Sequence, residues 1–110
     1  MRTVDISLET DEIKDWGSFH EGCKTTFGFP NFYGQNMNAW IDCLTYLDEE
    51  DGMSRFHLKH DEMLNISVVE SVSFKQRVPE IFEALIECAA FVNQRYIERG
   101  SSIRIALTFL

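Results

Sequence analysis

The chain has 110 residues, 45% of them hydrophobic, which is enough apolar material for one packed core, so we predict a single domain over residues 1–110. The formal net charge of −8 argues against binding to nucleic acid or to membranes, because phosphates and anionic lipids repel an acidic surface. A basic partner protein would be attracted instead, although solubility alone also explains such a charge.

Three cysteines, Cys23, Cys43 and Cys88, lie far apart in the sequence and form no CxxC pair. Their odd number and wide spacing are not typical of a disulfide framework. No charged-then-apolar signal peptide opens the chain, and the apolar runs are far shorter than the roughly 20 residues that a membrane helix needs. We therefore expect a cytoplasmic location.

The first third of the chain predicts a strand followed by a helix. Val4, Ile6 and Leu8 alternate with polar residues, as expected of a strand with one apolar face. Apolar residues then recur at helical spacing over residues 16–27, and Gly28 is expected to end this helix.

A second helix is predicted from Asn36, a good N-cap, to Leu47. The side chains expected to face the core are Met37, Trp40, Ile41 and Leu44. Those expected on the opposite side are Asn38, Asp42 and Thr45. The acidic residues 48–52 are predicted to end the helix as a solvated loop, and residues 53–61 show no clear pattern.

The second half of the chain predicts a strand, a long helix and a last strand. Apolar and polar residues alternate over 64–68 and again over 103–109. Between them Pro79 suits a first helical position and Gly100 suits the position just past a helix end. The order of strands and helices is a βαβ arrangement, which implies an α/β fold with a small, mostly parallel sheet packed by helices.

Residues 29–44, FPNFYGQNMNAWIDCL, are the most informative segment. They form an aromatic-rich loop that leads through Gly34 into the capped second helix. From spacing alone, Asp42 is better explained as an ordinary exposed helix residue, and Phe32 and Tyr33 are equally explained as a cover for one end of the core.

This segment strongly resembles the barstar family, the intracellular inhibitors of barnase-type ribonucleases. The matching pieces are Phe29-Pro30, Tyr33-Gly34, Asn36, Ala39 and Asp42-Cys43-Leu44. Outside residues 29–47 the similarity is one of pattern. The resemblance implies a three-stranded parallel sheet surrounded by helices, no catalytic residue and no cofactor, so the protein is expected not to be an enzyme.

The resemblance also implies a mechanism, in which the loop and the second helix enter the active-site cleft of the ribonuclease. The aspartate that matches Asp42 takes the place of an RNA phosphate there, against arginines and a histidine of the enzyme. The expected partner is a basic extracellular or toxin ribonuclease of the barnase type, blocked inside the cell by an immunity or antitoxin protein. The residues assigned to partner binding are Asp42, Asn38, Phe32, Gly34, Asn36, Ile41, Tyr33, Tyr46 and Leu47.

Several positions depart from the family pattern. The replaced interface residues are a second aspartate (Asn38 here), two tryptophans (Ile41 and Leu47) and a tyrosine (Phe32). Late in the last helix, where the family uses a glutamate, the chain has Arg95 and Arg99. A second hypothesis is therefore a barstar-like binding or immunity protein for a different, non-barnase partner.

A third hypothesis is a metal-dependent enzyme that uses His57, His60 and Asp61. Imidazole and carboxylate groups are ordinary metal ligands, and His20 with Cys23 is a further pair at helical spacing. Neither group supplies four ligands at a recognised spacing, so we predict no metal site.

Overall fold

A three-stranded parallel sheet with helices packed against it organises residues 2–110, which this computed structural model describes. The elements are β1 (Arg2–Leu8), α1 (Trp16–Phe27), α2 (Met37–Thr45), β2 (Glu62–Val68), α3 (Ser71–Arg77), α4 (Pro79–Glu98) and β3 (Arg104–Phe109). The predicted α/β class and the predicted parallel sheet packed by helices are both confirmed.

Strand β2 lies at the centre of the sheet and pairs with β1 on one side and β3 on the other. Ile66 is opposite Ile6 in β1 and Leu107 in β3, so apolar residues stand side by side across the sheet. Every second residue of β2 is buried. Because neighbouring side chains point to opposite faces of a strand, this alternation lines the core with Leu64, Ile66 and Val68.

The apolar stripes of α1, α2 and α4 complete the core. Trp40 of α2 is fully buried, as predicted, and its ring meets Phe27 of α1 edge-on. Tyr96 of α4 is also buried, and its hydroxyl donates to the Leu44 carbonyl oxygen at 2.7 Å. This bond joins α4 to the C-terminal end of α2 and fixes how the two helices pack.

Helix α2 ends at Thr45, two residues earlier than predicted. Tyr46 leaves the helical conformation, and its carbonyl oxygen accepts a hydrogen bond from Glu49 in a turn. Thr45 was predicted on the solvent side, and this is wrong. Its side chain is buried, and its hydroxyl donates to the Ile41 carbonyl oxygen at 2.5 Å.

Two features follow no signal in the sequence. The short helix α3 was not predicted, because seven residues with few buried side chains do not establish a helical period. Residues 53–61 form no helix or strand, and they close the end of α1. Ser54 and Arg55 donate to the Phe27 carbonyl oxygen at 2.8 and 2.9 Å. Within residues 2–110 no helix is long and apolar enough to cross a membrane.

Candidate partner-binding site

Tyr33 anchors the loop between α1 and α2. Its hydroxyl lies 2.6 Å from Nδ1 of His20 on α1, and both side chains are buried. Its ring also packs on Phe29, with 4.7 Å between the ring centroids. The neighbouring Phe32 points outward and is 75% exposed. One aromatic residue thus holds the loop from inside while another is presented to solvent.

The turn into α2 runs from Gly34 to Asn36. Gln35 adopts a left-handed conformation with φ of 51°, and its amide donates to the Glu21 carboxylate at 3.1 Å. Asn36 Oδ1 accepts from the Ala39 N–H at 2.8 Å, which confirms the predicted N-cap. Because this oxygen is used to cap the helix, Asn36 fixes where α2 begins, and Gly34 lies exposed beside it.

The solvent side of α2 carries Asn38, Asp42 and, just past the helix end, Tyr46. All three are exposed, and we call them the α2 face. Ile41 and Leu47, which were also assigned to partner binding, lie in the core, as the helical spacing predicted for Ile41, and Leu47 is only 1% exposed. The part that any of these five residues plays in partner binding remains a prediction.

Two arginines, Arg95 in α4 and Arg99 at its C-cap, reach across to α2 and the turn that follows it. Arg95 Nη1 donates to Asp42 Oδ1 at 2.7 Å, and both side chains are about half exposed. One turn later, Arg99 Nη2 donates to Asp48 Oδ1 at 2.8 Å and to the Thr45 carbonyl oxygen at 2.6 Å. The second bond satisfies a carbonyl at the C-terminal end of α2, where a cation is also favoured by the helix dipole.

Sequence reasoning noted Arg95 and Arg99 but did not pair them with Asp42 of α2 and Asp48 just after it. The spacing of four residues was a usable signal, because it places both guanidinium groups on one side of a helix. Which side of α4 meets α2 depends on how the core packs, and no local pattern encodes it.

The cysteines do not provide an activated nucleophile. All three are free and buried. Burial raises the pKa of Cys43 to about 11, with a further contribution from the Asp42 charge, and it raises the pKa of Cys23 to about 12. These thiols therefore stay protonated at neutral pH, and a protonated thiol is a poor nucleophile.

The histidines of residues 53–61 bond to separate groups. His57 Nε2 lies 3.4 Å from the Asp48 carbonyl oxygen. His60 contacts the Ser102 hydroxyl at 3.0 Å and Asp61 Oδ2 at 3.4 Å. In the part of the chain that the structure describes, no group of three or more His, Cys, Asp or Glu residues is placed to hold a metal ion. The geometry gives the metal-enzyme hypothesis no support.

The family of the chain follows from its match to a known family model. A comparison with curated proteins gives no match. The family model described as Barstar (barnase inhibitor) matches residues 2–108. This match takes in β1, β2, the four helices and all but the last residue of β3, and the chain therefore belongs to the barstar family.

Proposed function

We propose that this protein inhibits a barnase-type ribonuclease by binding over its active site, and that it performs no chemistry itself. The observation that carries the proposal is the exposed carboxylate of Asp42 on the outer side of α2. Its position matches the family's phosphate-mimicking aspartate, and membership of the family implies a ribonuclease partner.

The chemistry of Asp42 suits this role. Only Oδ1 is bonded to Arg95, so the other carboxylate oxygen is free to accept hydrogen bonds from a partner. Bonds between a carboxylate and guanidinium or imidazolium groups are short and strong, and more so when the complex excludes water. A ribonuclease cleft that binds RNA phosphate offers groups of this kind.

Other exposed residues of the loop and of the α2 face form the remainder of the proposed contact surface. They are Phe32, Gly34, Asn38 and Tyr46. The other assigned residues support this surface in the proposal. Tyr33 and Asn36 hold the loop and the start of α2, and Ile41 and Leu47 belong to the core on which α2 packs. The complex would form inside the cell, where the protein would act as an immunity or antitoxin protein.

The test is RNA cleavage by a barnase-type ribonuclease titrated with this protein. We expect stoichiometric inhibition by the wild type and a loss of about a hundredfold or more in affinity for Asp42→Ala, because a charge-assisted bond in the interface is removed. Asp11→Ala is the matched control, since Asp11 is an exposed acid between β1 and α1. Equal inhibition by both variants would show that Asp42 is not the anchor.

A non-ribonuclease partner is the second candidate, and the pairing of Asp42 with Arg95 favours it. A face with both charges is less suited to a purely basic cleft than a lone acid is. Pull-down from the native lysate, with Asp42→Ala as the negative control, separates a nuclease from another partner.

A further inference from the structure

The ion pair between Asp42 and Arg95 is joined through one oxygen and one nitrogen. Arg95 Nη1 donates to Asp42 Oδ1 at 2.7 Å and lies 3.5 Å from the Thr45 hydroxyl. Among residues 2–110, Asp42 Oδ2 accepts no hydrogen bond, and Arg95 Nε and Nη2 donate none. The pair therefore keeps an acceptor and two donor groups for another molecule.

Arg95 also borders a groove between α2 and α4. The groove has a volume of about 390 Å³ and is lined by Asn38, Ile41, Phe91, Gln94, Arg95 and Glu98. Phe91 is more than half exposed, so an apolar ring stands next to the guanidinium group. A partner that covers Asp42 would also cover this groove, because Arg95, which bonds to Asp42, and Asn38, one turn before Asp42 on the exposed side of α2, both line it.

The pair does little for the fold, since ion pairs exposed to this degree contribute little to stability. In a complex the situation changes. A partner cation that approaches Asp42 also approaches Arg95, and the repulsion between the two cations grows as water is excluded. The unused donors of Arg95 would in addition be buried without an acceptor, which weakens binding further.

We propose that Arg95 is a specificity-determining residue of the partner site, and that it selects a partner offering a carboxylate to Arg95 beside a cation for Asp42. The proposal rests on the proposed function. Specificity of this kind arises as much from the repulsion of wrong partners as from attraction to the right one. An enzyme cleft that presents only basic groups to this face is therefore bound less tightly than Asp42 alone would permit.

The experiment uses a barnase-type ribonuclease whose phosphate-binding cleft is lined by arginine and histidine. Its inhibition is measured with the wild type, Arg95→Gln, Arg95→Glu and Lys14→Gln, after thermal unfolding has shown that each variant is folded. Lys14→Gln is the matched control for Arg95→Gln, because Lys14 is an exposed cation between β1 and α1 and both substitutions remove one positive charge.

We expect affinity to rise in the order wild type, Arg95→Gln, Arg95→Glu, with a gain of about tenfold for Arg95→Gln. Lys14→Gln should change affinity by less than about twofold, since it alters only long-range attraction. The gain from Arg95→Gln should disappear in the Asp42→Ala background, because Arg95 acts beside that carboxylate.

The outcomes separate the two proposals. If the wild type inhibits, Asp42→Ala does not, and Arg95→Gln behaves like Lys14→Gln, the proposed function stands and the role of Arg95 is wrong. Weaker inhibition by Arg95→Gln would also overturn that role. If neither the wild type nor any Arg95 variant inhibits at micromolar concentration, both proposals fail for ribonucleases of this type.

Discussion

His20 and Tyr33 form a buried polar contact beneath the loop that carries Phe32. His20 also stacks on Trp16, with 6.0 Å between the ring centroids. Burial lowers the pKa of His20, because a charged imidazole is disfavoured away from water. Burial also raises the pKa of Tyr33. Both groups are therefore neutral at neutral pH, and burial of the pair favours this neutral state.

Acid should weaken the fold through His20. In the unfolded chain a histidine titrates near its ordinary pKa of 6.5, whereas in the folded protein the pKa of His20 is lower. Below pH 6.5 the unfolded state binds more protons, so the free energy of unfolding falls as the pH drops toward the folded pKa. The slope from one such group is at most about 1.4 kcal/mol per pH unit.

Urea denaturation at a series of pH values between about 7 and 5 measures this loss. His20→Gln keeps a polar partner for Tyr33 but cannot take up a proton, so its stability should fall less steeply than that of the wild type. His57→Gln is the control, since His57 is exposed. If the stability of His20→Gln fell with pH as steeply as that of the wild type, the loss of stability in acid could not be assigned to His20.

The helices and strands that carried strong local signals were predicted from the sequence. The alternation of β1 and β2, the cap Asn36 and the first-turn Pro79 all appear as predicted. Local patterns did not predict the path of the chain after Thr45, because the turn there depends on long-range bonds. The Leu47 N–H, for example, donates to the Tyr96 hydroxyl at 3.0 Å, and these residues are 49 positions apart.

The difference between local and long-range contacts also explains which parts of the candidate site were predicted. The loop and α2 were found because their residues are contiguous in the sequence. The contribution of Arg95 was not found, because it reaches Asp42 from a helix 53 positions later in the chain. The burial of Ile41, in contrast, was predicted, because its helical spacing from Met37 and Leu44 is a local signal.

The C-terminal end of α1 depends on the irregular residues 53–61. Gly28 adopts φ of 69° there, a left-handed conformation that glycine accepts most readily. A Cβ added at Gly28 would lie 2.8 Å from Arg55 Cβ. Arg55 is itself fixed, since its backbone N–H donates to the Phe27 carbonyl oxygen at 2.9 Å and its Nε to Thr26 at 3.0 Å.

Gly28→Ala should therefore lower the free energy of unfolding by more than the cost of its conformation alone. The left-handed conformation costs an alanine about 1 kcal/mol, and the forced displacement of Arg55 adds about 1 kcal/mol or more. Gly100→Ala is the matched control, because Gly100 has φ of 74° and nothing lies within 4 Å of its added Cβ. Urea denaturation compares the two variants. Equal losses in the free energy of unfolding would mean that Arg55 and residues 53–61 move away from the added methyl group at no measurable cost.

Seen as a whole, the molecule is an acidic body that carries its proposed contact surface on one helix and one loop. It has 18 acidic and 10 basic residues. Much of the acid lies outside the α2 face, for example Glu9, Asp11 and Glu12 beside α1, which are exposed. These charges act on a basic partner at long range, where salt screens them, whereas Asp42 acts at contact.

Association with a basic ribonuclease should therefore depend on salt mainly through its rate. We expect the association rate constant to fall by about tenfold or more between roughly 0.01 and 0.5 M salt, and the dissociation rate constant to change much less. Surface plasmon resonance or stopped-flow fluorescence gives both constants. The double variant Glu9→Gln, Asp11→Asn should slow association without speeding dissociation, whereas Asp42→Ala should mainly speed dissociation. If salt instead changed only the dissociation rate, the net charge would have no part in bringing the two proteins together.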